Sequence, residues 1–89
     1  MAKLVKAATA GFDEKNDVLV TVEPIASGVE VDLTSKVMHQ YGKHIEEFIK
    51  KVVADAGFDG VKVIAQDKNA WDYTIKARVL GALERGSKA

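Results

Sequence analysis

The sequence predicts an α+β fold in the order β-β-β-α-β-α, a mostly antiparallel sheet packed by two helices. Three observations carry this expectation. Val18, Val20 and Val22 alternate onto one face of Val18–Glu23, and apolar and acidic residues alternate through Val29–Leu33, the period of a half-buried strand. From Thr34 to Ala56 the apolar spacing changes to three and four, the period of a helix. A short apolar run at Val61–Ala65 then leads into a second helical stripe. With 89 residues and 47% hydrophobic content, residues 1–89 fit one small domain.

Taken in order, Leu4–Phe12 and Val18–Glu23 form the expected arms of a hairpin around the charged tip Asp13–Asp17. Val18, Val20 and Val22 share one face of the second arm, and Leu19 and Thr21 share the other. Pro24, the only proline, ends that strand because it has no amide proton for the ladder. Ala26-Ser27-Gly28 makes a turn, and Val29-Glu30-Val31-Asp32-Leu33 follows as a strand with a buried and a solvated face.

The first helix is expected to start at Thr34 or Ser35 as N-cap and to stop at Gly57, a residue suited to the left-handed C′ position. Its stripe is Val37, Tyr41, Ile45, Phe48, Ile49, Val52, Val53 and Ala56. Gly42 within it points to close packing or a kink. The second helix is capped by Asp67 or Asn69 and buries Trp71, Ile75, Val79, Ala82 and Leu83. Gly86–Ala89 reads as a fraying tail.

The composition excludes several kinds of chemistry. There is no cysteine, so disulfides, thiolate metal sites and thiol nucleophiles are out. Thirteen basic and thirteen acidic residues give zero formal charge, which argues against broad attraction to nucleic acid. No apolar run approaches the roughly 18–20 residues of a membrane span, and charge breaks up the N-terminus too early for a secretory signal. The expected location is the cytoplasm.

The candidate reactive residues are scattered. His39 and His44 stand five apart, about 140° around a helix, which is the wrong separation for a metal pair. Ser27, Ser35 and Ser87 fall in a turn, a cap and the tail, none in a nucleophile pattern. Glu30 and Asp32 read as the solvated side of a strand rather than an acid–base pair. Trp71 reads as a core anchor, or alternatively as a partner contact. Lys68, Lys76, Arg78 and Arg85 give the last helix a basic character: a solvated face, or a surface for an acidic partner. By chemistry alone this is a non-catalytic domain with no metal site.

Several segments together resemble the acyl carrier (gamma) subunit of citrate lyase. The Ala10-Gly11 step leads through a polar tip to Asp17-Val18-Leu19-Val20. Ser35–Gly42 matches a family helix start at Val37, Gln40, the aromatic Tyr41 and Gly42. Asp67-Lys68-Asn69-Ala70-Trp71-Asp72 stands where the family has Asp-Lys-Gly-Ala-Leu-Asp, and Lys76-Ala77-Arg78 and Arg85 follow in register. The resemblance runs from about Lys6 to Ser87.

That resemblance implies a carrier-like domain over residues 1–89, not itself an enzyme. It would bear a covalent 2'-(5''-phosphoribosyl)-3'-dephospho-CoA arm as acetyl or citryl thioester. The implied partners are an alpha (transferase) subunit, a beta (lyase) subunit and the enzyme that ligates the arm. Family members attach the arm through a phosphodiester to the serine of Gly-Thr-Leu-Glu-Ser, and that serine falls on Lys15. An amine cannot form a phosphodiester, and the nearest hydroxyls, Thr9 and Thr21, fall in expected strands. Two further readings follow: an unmodified structural or assembly subunit, and a small nucleic-acid-binding module using the basic helix.

Overall fold

A computed structural model describes residues 2–35 and 38–88; the side chains at 35 and 38–41 lie outside the described set. The elements are β1 (Ala8–Ala10), β2 (Val18–Pro24), β3 (Val29–Ser35), α1 (Met38–Asp55), β4 (Val61–Asp67) and α2 (Asp72–Gly86). This is the expected α+β order. The four strands lie in the order β1-β2-β4-β3.

Two pairings are antiparallel, β1 with β2 and β2 with β4; the third, β3 with β4, is parallel. The parallel pair follows from connectivity, because α1 carries the chain from the end of β3 back to the start of β4. Val18 faces Asp67 and Val22 faces Val63, so alternation on the two strands is in phase. Val18, Val20, Val22, Val61, Val63 and Ala65 are all fully buried on the helix-covered side. Each buried side chain of this size contributes about 1.5–3 kcal/mol of hydrophobic stabilisation. The reverse side, with Leu19, Thr21 and Ile64, is only partly covered.

The helices close the core from one side. On α1 the expected stripe is buried at Ile45, Ile49, Val52 and Val53, while Phe48 is half-buried and Ala56 exposed; Gly42 is buried. Val37 and the side chain of Tyr41 lie outside the described set, as does the side chain of the alternative N-cap Ser35; Thr34, the other expected N-cap, is instead a residue of β3 paired with Gln66. The helix ends as expected at Gly57, with φ +82°. The Phe58 amide donates to the Val53 carbonyl and the Gly57 amide to that of Ala54, the paired bonds of a Schellman cap.

Four more expectations need correction. The first hairpin arm is not a strand from Leu4; only Ala8–Ala10 pair with β2. Leu4 is instead buried beside α2, and the Val5 and Lys6 amides both donate to the Gly86 carbonyl. That contact also overturns the fraying of Gly86, which is buried in the helix's last turn. A β-carbon there would lie 2.9 Å from Leu4 Cδ2 and 3.0 Å from the Lys6 carbonyl oxygen. Neither Asp67 nor Asn69 caps α2: the N-cap is Trp71, with no side-chain bond to the helix. Trp71 is not a core anchor either, being 66% exposed. The helix begins one residue after it, so its ring leaves the buried stripe that starts at Ile75.

Candidate functional site

The tip expected between the first two strands is real, and its base is held firmly. Gly11 adopts φ +86° and redirects the chain; a β-carbon there would strike the Val18 carbonyl and press on the Arg78 stem. Asn16 has φ +63°, the left-handed conformation that asparagine tolerates better than most residues. The Asp17 amide donates to the Glu14 carbonyl at 3.0 Å, closing the turn over Lys15 and Asn16. Asn16 N–H donates to the Lys68 carbonyl, and Lys68 N–H to that of Asp17. These bonds prolong the β2–β4 ladder beyond its last paired residues.

Side chains reinforce that base. Arg78 Nε donates to Asp17 Oδ1 and its Nη2 to Oδ2, each at 3.0 Å, while the Val18 amide donates to Oδ1 at 2.7 Å. The Arg78 guanidinium holds the Asp17 carboxyl below its usual range, against an opposing effect of burial and with help from the Val18 amide. Lys68 pairs with Asp13 at 3.5 Å. Arg85 donates to the Thr9 carbonyl at 2.8 Å, tying α2 to β1. Of the basic residues on and before the last helix, Lys68, Arg78 and Arg85 are thus engaged within the chain.

Lys15 sits at the exposed apex of this loop. Among the described residues its side chain makes no hydrogen bond or ion pair. It lines a hollow of about 370 Å³ with Asp13, Asn16, Lys68 and Asn69. No residue from Gly11 to Asp17 carries a hydroxyl. Thr9 and Thr21 lie on β1 and β2 and face each other across the ladder, away from the apex.

The β4–α2 loop packs beside the tip. Asp67 is 2% exposed, and its Oδ1 accepts the Ala70 amide at 2.9 Å, shaping the loop rather than the helix start. Asn69 has φ +66°. Asparagine tolerates this left-handed conformation better than most residues. Trp71 and Tyr73 stack nearly parallel, with centroids 6.5 Å apart and 7° between planes. Sequence reasoning missed this exposed pair because helical spacing placed Trp71 inside.

The other candidates fall elsewhere. His44 Nε2 lies 3.0 Å from Asp72 Oδ2, and its ring stacks on Phe48. The side chain of His39 is outside the described set. Among the described residues no group of three or more His, Asp or Glu could hold a metal ion. Ser27 is exposed in its bend, Ser87 Oγ donates to the Glu84 carbonyl, and Glu30 and Asp32 are exposed on edge strand β3, the expected solvated face. No helix among the described residues is long and apolar enough to cross a membrane.

Comparison with known proteins agrees with this architecture. The acyl carrier family profile described as "Malonate decarboxylase delta subunit (MdcD)" matches residues 5–86. The citrate lyase acyl carrier protein of Halothermothrix orenii is 40% identical over 86 residues, covering 97% of this chain and 92% of that one. Its counterpart in Lacticaseibacillus casei is 44% identical over 80 residues, covering 90% and 79%. The one in Streptococcus uberis is 38% identical over 84 residues, covering 94% and 83%. The chain belongs to the citrate lyase acyl carrier protein family. A crystal structure of a Thermus thermophilus chain shares the fold, with TM-score 0.62 and 17% identity. The match covers 93% of this chain and 16% of that one, so there the fold forms part of a longer chain.

Proposed function

We propose that this chain is the non-catalytic carrier-fold subunit of a cytoplasmic citrate-lyase-type complex, docking with an alpha (transferase) and a beta (lyase) chain. One observation carries the reading: a braced, exposed tip presents residue 15 at its apex, held from below by Arg78 and Asp17. A tether works by raising the effective concentration of its cargo at two sites, and it needs a fixed base with a free apex. The names of the relatives point to the same role.

The residues present do not fit the arm in its family attachment. A 2'-(5''-phosphoribosyl)-3'-dephospho-CoA group held by phosphodiester needs a hydroxyl, and the apex offers the Lys15 amine. No transfer step is therefore assigned to Lys15. This favours the second reading, an assembly subunit that keeps the carrier fold without the arm.

One experiment separates the two. The chain and its Lys15→Ser variant are co-expressed with the arm-ligating enzyme and with alpha and beta chains. Co-purification with both chains supports the complex in either form. An intact-mass gain restricted to Lys15→Ser supports an assembly subunit on a carrier scaffold. A gain in both proteins places attachment at another hydroxyl. Failure of either protein to co-purify overturns the reading.

A further inference from the structure

Where α1 passes the head of α2, the surface holds a hollow of about 410 Å³. Ile45, Ala70, Trp71 and Tyr73 give it an apolar lining. Its charged or titratable residues, among those described, are Asp67, Asp72 and His44, with no lysine or arginine. Trp71 and Tyr73 are 66% and 72% exposed, with ring centroids 6.5 Å apart and planes 7° from parallel. Asp72 Oδ2 lies 3.0 Å from His44 Nε2, both side chains being more than half exposed. Its other oxygen, Oδ1, has no hydrogen bond among the described residues.

We propose that this hollow is the docking seat for an arginine side chain of a protein partner, its guanidinium stacked on the aromatic pair and bonded to Asp72. Exposed tryptophan and tyrosine are enriched where proteins meet, because each buries much area at little entropic cost. Charge then selects what enters. The carboxylates repel an acidic side chain, and the lining has no lysine or arginine to hold one. An aliphatic side chain would cover the rings but desolvate Asp72 without giving it a new partner. A guanidinium meets both demands. It is flat and weakly hydrated, so it can lie on a ring while its edge N–H groups reach a carboxylate. Lysine brings the charge without the flat contact.

The existing contacts leave room for this bond. Oδ1 can accept from the incoming guanidinium while Oδ2 keeps His44, so no bond within the chain must break. Because Asp72 is more than half exposed, docking does not strip it fully of water, and the cost of burying an ion pair stays small. The covering rings exclude water from one side of the pair, which makes it stronger than a bare surface pair. Nothing at residue 15 takes part, and the proposal does not rest on the carrier reading.

Trp71 is the only tryptophan, so its fluorescence reports on the seat directly. The full chain is titrated with an end-blocked tripeptide of arginine between two alanines, and with its lysine, citrulline and leucine counterparts. The arginine peptide should change the emission saturably at millimolar concentration, and the others should bind at least several-fold more weakly. Asp72→Asn should weaken the arginine peptide several-fold and leave the citrulline peptide unaffected. Amide NMR shifts at His44, Ala70 and Tyr73 should move with the arginine peptide and fail to move in Trp71→Leu. The inference is overturned if the arginine peptide gives neither signal, or if any of its counterparts binds as well. Free arginine binding more tightly than the blocked peptide would overturn it too, assigning the seat to a small molecule. Co-purification of the parent chain, which tests the carrier reading, involves no peptide, so the two readings fail separately.

Discussion

Arg78 on α2 and Asp17 at the foot of the hairpin tip, 61 residues apart in sequence, meet through two parallel hydrogen bonds of 3.0 Å. The pair is two-pronged, a geometry that a guanidinium and a carboxylate achieve together. It fastens a loop that would otherwise hang from a three-residue strand, β1.

Arg78→Lys should therefore lose the fork while keeping the charge. We expect Arg78→Lys to lower stability by about 1 kcal/mol and Arg78→Ala by somewhat more, with Gly11–Asp17 amides exchanging faster than in the parent. Urea unfolding and hydrogen exchange measure the two effects. A double-mutant cycle with Asp17→Asn should show coupling; simple additivity would mean that the pair does not brace the tip.

The same pair sets a pH dependence. Folding lowers the Asp17 carboxyl below 3.8, chiefly through the Arg78 hydrogen bonds. Its stabilising contribution is thus fully present above that value and is lost as pH falls from it through the lower folded value. The stability difference between the parent and Asp17→Asn should hold constant near neutrality and shrink below about pH 4. A difference that grew on acidification would contradict the assignment.

At Asn69 the backbone angle decides what fits. With φ +66°, Asn69→Gly should be neutral or slightly stabilising, whereas Asn69→Val should cost about 1–2 kcal/mol. Thermal unfolding of the two variants tests this. Equal effects of glycine and valine would remove the conformational explanation.

Trp71 and Ile75 make a contrast one helical turn apart. Ile75 is fully buried, so Ile75→Ala should cost about 2–5 kcal/mol. Trp71→Leu, at an exposed ring, should change stability by less than about 0.5 kcal/mol. Chemical denaturation of both variants gives the comparison directly.

Much of this was readable in the chain. Val18, Val20 and Val22 declared their buried face by alternation, Ile45 to Val53 by helical spacing, and Gly57 its cap. The tip at Asp13–Asp17 was also legible, since charge and turn-forming residues interrupt two apolar runs. Trp71 was misplaced because periodicity says which positions share a face but not where the first turn begins. A shift of the helix start by one residue is enough to leave a large ring in solvent.

The sequence alone determined the order of elements, the faces they bury and the amine at the apex, because these depend on side chains within a few residues of each other. Only the tertiary structure decided that β4 lies between β2 and β3, that Arg78 grips Asp17, and that His44 meets Asp72 beside Trp71 and Tyr73. Those relationships join residues tens of positions apart. Strand partnership and loop packing are chosen by which surfaces close the whole core together, and no local period encodes that choice.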